Sequence, residues 1–94
     1  MRIVWSRGAL TDLEEIERSI TSANPEAARA VKDRIRERVG QLAQMPGAGR
    51  SGRVPDTREL VIAGLPYVVA YAVDEKWIRI IAVIHAARKW PRTF

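Results

Sequence analysis

Apolar residues recur at two different spacings along this 94-residue chain, and the change of spacing divides it into parts. Arg2-Ile-Val-Trp-Ser6 gathers β-branched and aromatic residues in a short run, which predicts a strand. Past Gly8 the apolar positions are Leu10, Leu13, Ile16 and Ile20, at gaps of three and four. That spacing predicts a helix from about Ala9 to Ser22 with one apolar stripe. Asp12, Glu14 and Glu15 lie near its amino end, where they suit the helix dipole and are expected to be solvated charges. Asn24-Pro25-Glu26 then reads as a helix start, with Asn as N-cap and Pro at the first position. The second helix is predicted from Pro25 to about Gln44, with its stripe at Ala28, Val31, Ile35, Val39 and Leu42. Arg29–Asp33 and Asp33–Arg36 are spaced to form ion pairs on its outer face, and Gly40 offers a point of close approach. The short Ser-Ala-Asn link makes the two helices an antiparallel hairpin.

Beyond Met45-Pro46-Gly47 the helical spacing stops. The following GAGRSGRVPD has three glycines and two arginines but neither a Walker nor a dinucleotide pattern. It is expected to be a flexible connection presenting Arg50 and Arg53. Three β runs follow: Arg58–Ile62, Tyr67–Val73 and Trp77–Ile84, with Gly64-Leu-Pro66 and Asp74-Glu75-Lys76 as the turns. Short links join antiparallel neighbours, so these runs form a meander. The near-continuous apolar content of the third predicts a central strand covered on both faces, with Trp77 in core or edge packing. The order β-α-α-β-β-β makes a single α+β domain over residues 1–94, its helical hairpin packed on one face of a mainly antiparallel sheet. The other face is expected to be partly open, edged by the loop arginines and the C-terminal tail.

Composition narrows the classes. No cysteine is present, which excludes disulfides and thiolate chemistry. MRIVWSRG is too short and too soon charged for a signal peptide, and no run approaches the ~20 apolar residues of a membrane span. A soluble, cytoplasmic protein with no membrane partner is expected. The formal charge of +5 favours an anionic partner such as nucleic acid, a ribosome or an acidic protein. Residues 1–45 hold 8 Lys/Arg against 7 Asp/Glu, whereas residues 46–94 hold 8 against 4, so the excess lies with the loop and the β half.

Candidate chemistry concentrates in His85-Ala-Ala-Arg88-Lys89-Trp90-Pro91. His suits acid–base work near neutrality, Arg and Lys hold phosphates, and Trp stacks on a base or anchors an interface. His85 has no second His or Cys near it, so no metal site is expected, and no nucleophile elbow points to a hydrolase.

The run Thr57-Arg-Glu-Leu-Val, then Tyr67 through Val73, then an Ile/Val-rich strand ending in His85-x-x-Arg88-x-Trp90-Pro91, resembles the RelE/ParE toxins. The opening strand, the first helix beginning Ala9-Leu-x-Asp-Leu13 and the second ending in Met45-Pro-Gly47 agree, so the resemblance covers nearly the whole chain. It implies the toxin of a type II toxin–antitoxin system, of the kind linked to plasmid stabilisation. No cofactor is implied, and the partner is a small antitoxin whose acidic C-terminal segment wraps the helices and sheet in a hetero-oligomer. RelE-like members cleave mRNA in the ribosome and commonly carry an Arg on the second meander strand just after a position like Tyr67; this chain has Val68. Should it cleave RNA, His85, Arg88 and Lys89 are the candidate catalytic set. ParE-like members bind DNA gyrase and stall its DNA-cleaved state without enzymatic chemistry. The meander and its His-x-x-Arg ending look closer to that branch, with Arg50, Arg53, Arg58, His85, Arg88, Lys89 and Trp90 as the target-binding surface.

Overall fold

The computed structural model describes all residues, 1–94. Strand β1 spans Arg2–Trp5, helix α1 Arg7–Thr21 and helix α2 Pro25–Gly40, followed by a 3-10 turn at Gln41–Ala43. The remaining strands are β2 at Arg50–Ser51, β3 at Arg58–Val61, β4 at Tyr67–Val73 and β5 at Trp77–His85. They form one sheet in the order β1-β5-β4-β3-β2, in which only the β1–β5 pair is parallel. The two helices lie on one face, as the α+β order requires. The addition is β2, a two-residue strand inside the glycine-rich stretch. No helix is long and apolar enough to cross a membrane.

Side-chain caps set both helix starts. The Ser6 hydroxyl accepts from Ala9 N–H at 3.0 Å, which starts α1 two residues before the expected Ala9. Asn24 Oδ1 accepts from Ala27 N–H at 3.1 Å, with Pro25 in the first turn of α2. The inward face of α1 is Ala9, Leu13 and Ile16, while Leu10 is 40% exposed and leaves the expected stripe. The Ser6 hydroxyl also donates to Ile81 O at 3.0 Å, holding the start of α1 against β5 where the small Ala9 fits. The α2 stripe holds as predicted: Ala28, Ile35, Val39 and Leu42 are buried and Val31 is half-buried.

Three expectations for α2 and the loop are corrected. Neither Arg29–Asp33 nor Asp33–Arg36 is bonded; instead Lys32 reaches across to Glu17 of α1 at 3.2 Å. An exposed intrahelical pair is worth a few tenths of a kcal/mol, little against the entropy of ordering two long side chains. Gly40 ends α2 in open space, and a Cβ there would meet nothing within 4 Å. Residues 47–56 form a folded loop tied to the sheet. Tyr71, fully buried, accepts from Gly49 N–H at 2.8 Å and donates to Pro46 O at 2.8 Å. A Cβ at Gly49 would stand 2.6 Å from the Tyr71 hydroxyl, so this close approach requires glycine.

Strand β5 is internal, between β1 and β4, and is covered on both faces only in its second half, since Trp77 and Arg79 are exposed. Its register against β4 slips between Ala70/Ala82 and Tyr71/Ile80, leaving Ile81 as a bulge. The bulge puts Ile78, Ile80 and Val83 on the helix side with Leu60, Val69 and Tyr71, and Ala82 and Ile84 on the other. Helix α1 takes up the polar groups beside it. Ser6 binds the Ile81 carbonyl, and Val83 N–H donates to Asp12 Oδ2 at 2.9 Å.

Candidate functional site

The face of the sheet away from the helices is not open at its centre. Strand register sets Glu59 beside Ala70, and Ala70 beside Ala82. Trp90 folds back from the tail and packs on Ala70, Ala82 and Ile84, where the two alanines leave room for its ring. Glu59, 3% exposed, anchors the loop arginines there. Its Oε1 accepts from Arg50 Nη2 at 3.1 Å, and its Oε2 from the Arg53 backbone N–H at 2.8 Å. The Arg53 guanidinium also reaches the carboxylate, and its carbon stands 4.0 Å from the Trp90 ring centroid. Burial pushes the Glu59 carboxyl upward, but the Arg53 N–H and the two guanidinium groups outweigh it and hold its pKa below the usual value. Arg58 lies on the opposite face of β3 and donates to Gly49 O at 2.7 Å.

Four candidates therefore have intramolecular partners: Arg50, Arg53, Arg58 and Trp90. Sequence reasoning missed Glu59, although it and Asp56 are the only acids between Glu37 and Asp74. Trp77 opens β5 39% exposed, with the Arg2 guanidinium 5.1 Å from its ring, packed at the sheet's edge strand.

His85 and Arg88 come together elsewhere, at a cleft of about 180 Å³. One wall is α1, whose Asp12, Glu15, Ile16 and Ser19 share a face; the other is Tyr67, Val83, His85 and Arg88. Register pairs Tyr67 with His85, and their rings meet edge to face at 5.6 Å. Ala87 N–H donates to His85 Nδ1 at 3.1 Å, so a neutral ring carries its proton on Nε2. Arg88 N–H donates to His85 O at 2.9 Å and closes that turn. Lys89 is exposed next along the turn and does not line the cleft.

Asp12 departs from the expected solvated charge. It is half-buried, and burial raises its pKa above the ordinary carboxylate value; the Val83 N–H opposes this, Glu15 adds to it and Arg88 opposes it. Its signal in the sequence is a place beside Ala9, Leu13 and Ile16 at helical spacing. Val68 is 3% exposed opposite Ile84, so the second meander strand offers no phosphate-holding group there. The arrangement as a whole is an exposed cationic turn flanked by an acid-lined cleft, with the centre of the sheet's other face covered by Trp90.

Residues 3–90 match the family model described as the ParE toxin of the type II toxin–antitoxin system parDE. The Y4kP protein of Sinorhizobium fredii is 42% identical over 91 residues, 97% of this chain and 94% of that protein. Toxin RelE2 of Caulobacter vibrioides is 36% identical over 87 residues, 93% of this chain and 97% of that one. A solved structure described as the chromosomal ParDE TA system from P. aeruginosa superposes with a TM-score of 0.84 at 32% identity. That match covers 90% of this chain and 95% of the other. With the helical hairpin, the mixed five-stranded sheet and these likenesses in agreement, the chain belongs to the ParE toxin family of type II toxin–antitoxin systems.

Proposed function

We propose that this chain is a growth-arresting toxin that binds DNA gyrase in the cytoplasm, stalls its DNA-cleaved state, and is neutralised by a cognate antitoxin. The observation that carries this reading over mRNA cleavage is Val68, buried at 3% and facing Ile84 where an RNase member would hold a phosphate with Arg. Hydrolysing or transferring a phosphate needs preorganised charge at that point, and a buried valine supplies none. A binding poison needs an accessible surface instead. His85, Arg88 and Lys89 are all exposed on one turn and form its centre; Arg50, Arg53, Arg58 and Trp90, each held by partners within the chain, make up the rest of the proposed surface. No cofactor enters this function.

The second reading is a ribosome-dependent mRNA interferase, and what favours it is the meeting of His85, Arg88 and Tyr67 at one cleft. One experiment separates the two. Expression from a tight promoter, with plasmid topology and primer-extension mapping on the same arrested cells, should give gyrase-dependent DNA cleavage and intact mRNA. Codon-spaced, ribosome-dependent cuts would overturn the gyrase reading and make His85 the first residue to replace.

A further inference from the structure

The cleft beside α1 has features that target binding by the cationic turn does not use. Its volume of about 180 Å³ is that of roughly six waters at ~30 Å³ each, or of one long side chain. Asp12 Oδ2 is taken by Val83 N–H, while Asp12 Oδ1 and both Glu15 oxygens accept no hydrogen bond from the protein. The chain's ion pairs lie elsewhere, at Lys32–Glu17 and around Glu59. Two carboxylates thus face the single cation Arg88, making a locally acidic hollow on a chain of formal charge +5. Ile16, Val83 and the Tyr67 ring give the hollow an apolar lining.

We propose that this cleft is a receiving slot for one arginine or lysine side chain of the neutralising antitoxin, which rests on the reading above that such an antitoxin exists. The aliphatic stem lies along Ile16, Val83 and Tyr67, and the cationic head reaches Asp12 and Glu15. A nucleic acid fits poorly, because its phosphates would approach these carboxylates. The slot also shares His85 and Arg88 with the turn proposed to bind the target. A side chain seated there brings its own backbone over that turn, so recognition and masking become one event. An acidic antitoxin segment carrying one basic residue would be set in register by this slot, because any other register leaves either the slot or the cation unpaired.

The test uses the full-length toxin labelled with ¹⁵N and three probes: N-acetyl-arginine amide, its neutral isostere N-acetyl-citrulline amide, and guanosine monophosphate. The arginine probe should shift the Val83 and Glu15 amides saturably, about fivefold more tightly than the citrulline probe, as for a partly exposed ion pair. An Asp12→Asn/Glu15→Gln variant should erase that difference while keeping its melting temperature, since the asparagine amide oxygen at position 12 can still accept from Val83 N–H. Equal binding of both peptide probes, no binding of either, or tighter binding of the nucleotide at these amides would each overturn the slot. The titration does not depend on the antitoxin reading, which fails separately if no neighbouring gene product rescues growth. Where one does, charge reversal at Asp12 should weaken the complex, and reversal of one basic antitoxin residue should restore it.

Discussion

Replacing Trp90 with alanine separates a structural clasp from a free contact residue. A fully covered Trp buries roughly 150–250 Å², so the mostly covered Trp90, less what an alanine would still bury, has about 100 Å² of apolar area at stake, or about 2.5 kcal/mol at ~25 cal/mol/Å². The Arg53 guanidinium over the ring at 4.0 Å adds about 0.5–1 kcal/mol, reduced because Arg53 is half exposed. Against this, Trp90 Nε1 is buried with no partner, and its removal recovers about 1 kcal/mol. The net loss for Trp90→Ala is about 2 kcal/mol, which lowers the melting temperature of a domain this size by roughly 8–16 °C. Trp90→Phe keeps aromatic cover, discards the orphaned N–H and should stay within about 1 kcal/mol of the parent. Thermal and urea melts followed by circular dichroism measure both variants, with an unchanged urea slope showing that stability alone has moved. Arg88→Ala is the counterpart: Arg88 is exposed, so toxicity should fall with the melting temperature unmoved. A Trp90→Ala protein that melts within about 3 °C of the parent would refute the clasp and return Trp90 to the target-binding surface.

Tyr71→Phe leaves the buried Gly49 N–H and Pro46 carbonyl without their partner and should lose about 2–4 kcal/mol; a melt shifted by less than about 5 °C would contradict this. Glu59 has its folded pKa held below the ordinary value of 4.5, so its contribution is present above that pH and is lost as pH falls through the lower folded value. Glu59→Gln should therefore be about 1–2 kcal/mol less stable at pH 7 and show a flatter acid loss than the parent below about pH 4.5. Parallel acid limbs for the two proteins would show that Glu59 is not the titrating anchor. Gly40 has helical angles and open space for a Cβ, so Gly40→Ala should gain about 0.4–1 kcal/mol, read as a melt raised by a few degrees. A lower melt would mean that the helix end needs glycine after all.

Sequence by itself determined the elements whose cause is local. Asn24-Pro25 starts α2 because a cap and a fixed φ act within one turn, and the stripe from Ala28 to Leu42 follows from helical geometry alone. The meander followed from its short turns, and with it the α+β order and the resemblance that the comparisons bear out. Tertiary structure decided everything that depends on two distant segments meeting. Leu10 turned outward because Ser6 is tied to Ile81, 75 residues away in the chain, and Asp12 became a half-buried acid because it accepts from Val83 N–H, 71 residues away. The bulge has no local signature in an unbroken run of Ile, Ala and Val; it exists because β4 and β5 change register there. Arg50 and Arg53 looked free because charge alone does not reveal a partner, and Glu59 reaches them only once β3 is paired in the sheet. The cationic turn was legible residue by residue, whereas its separation from the Trp90 clasp depended on which face of the sheet each side chain met.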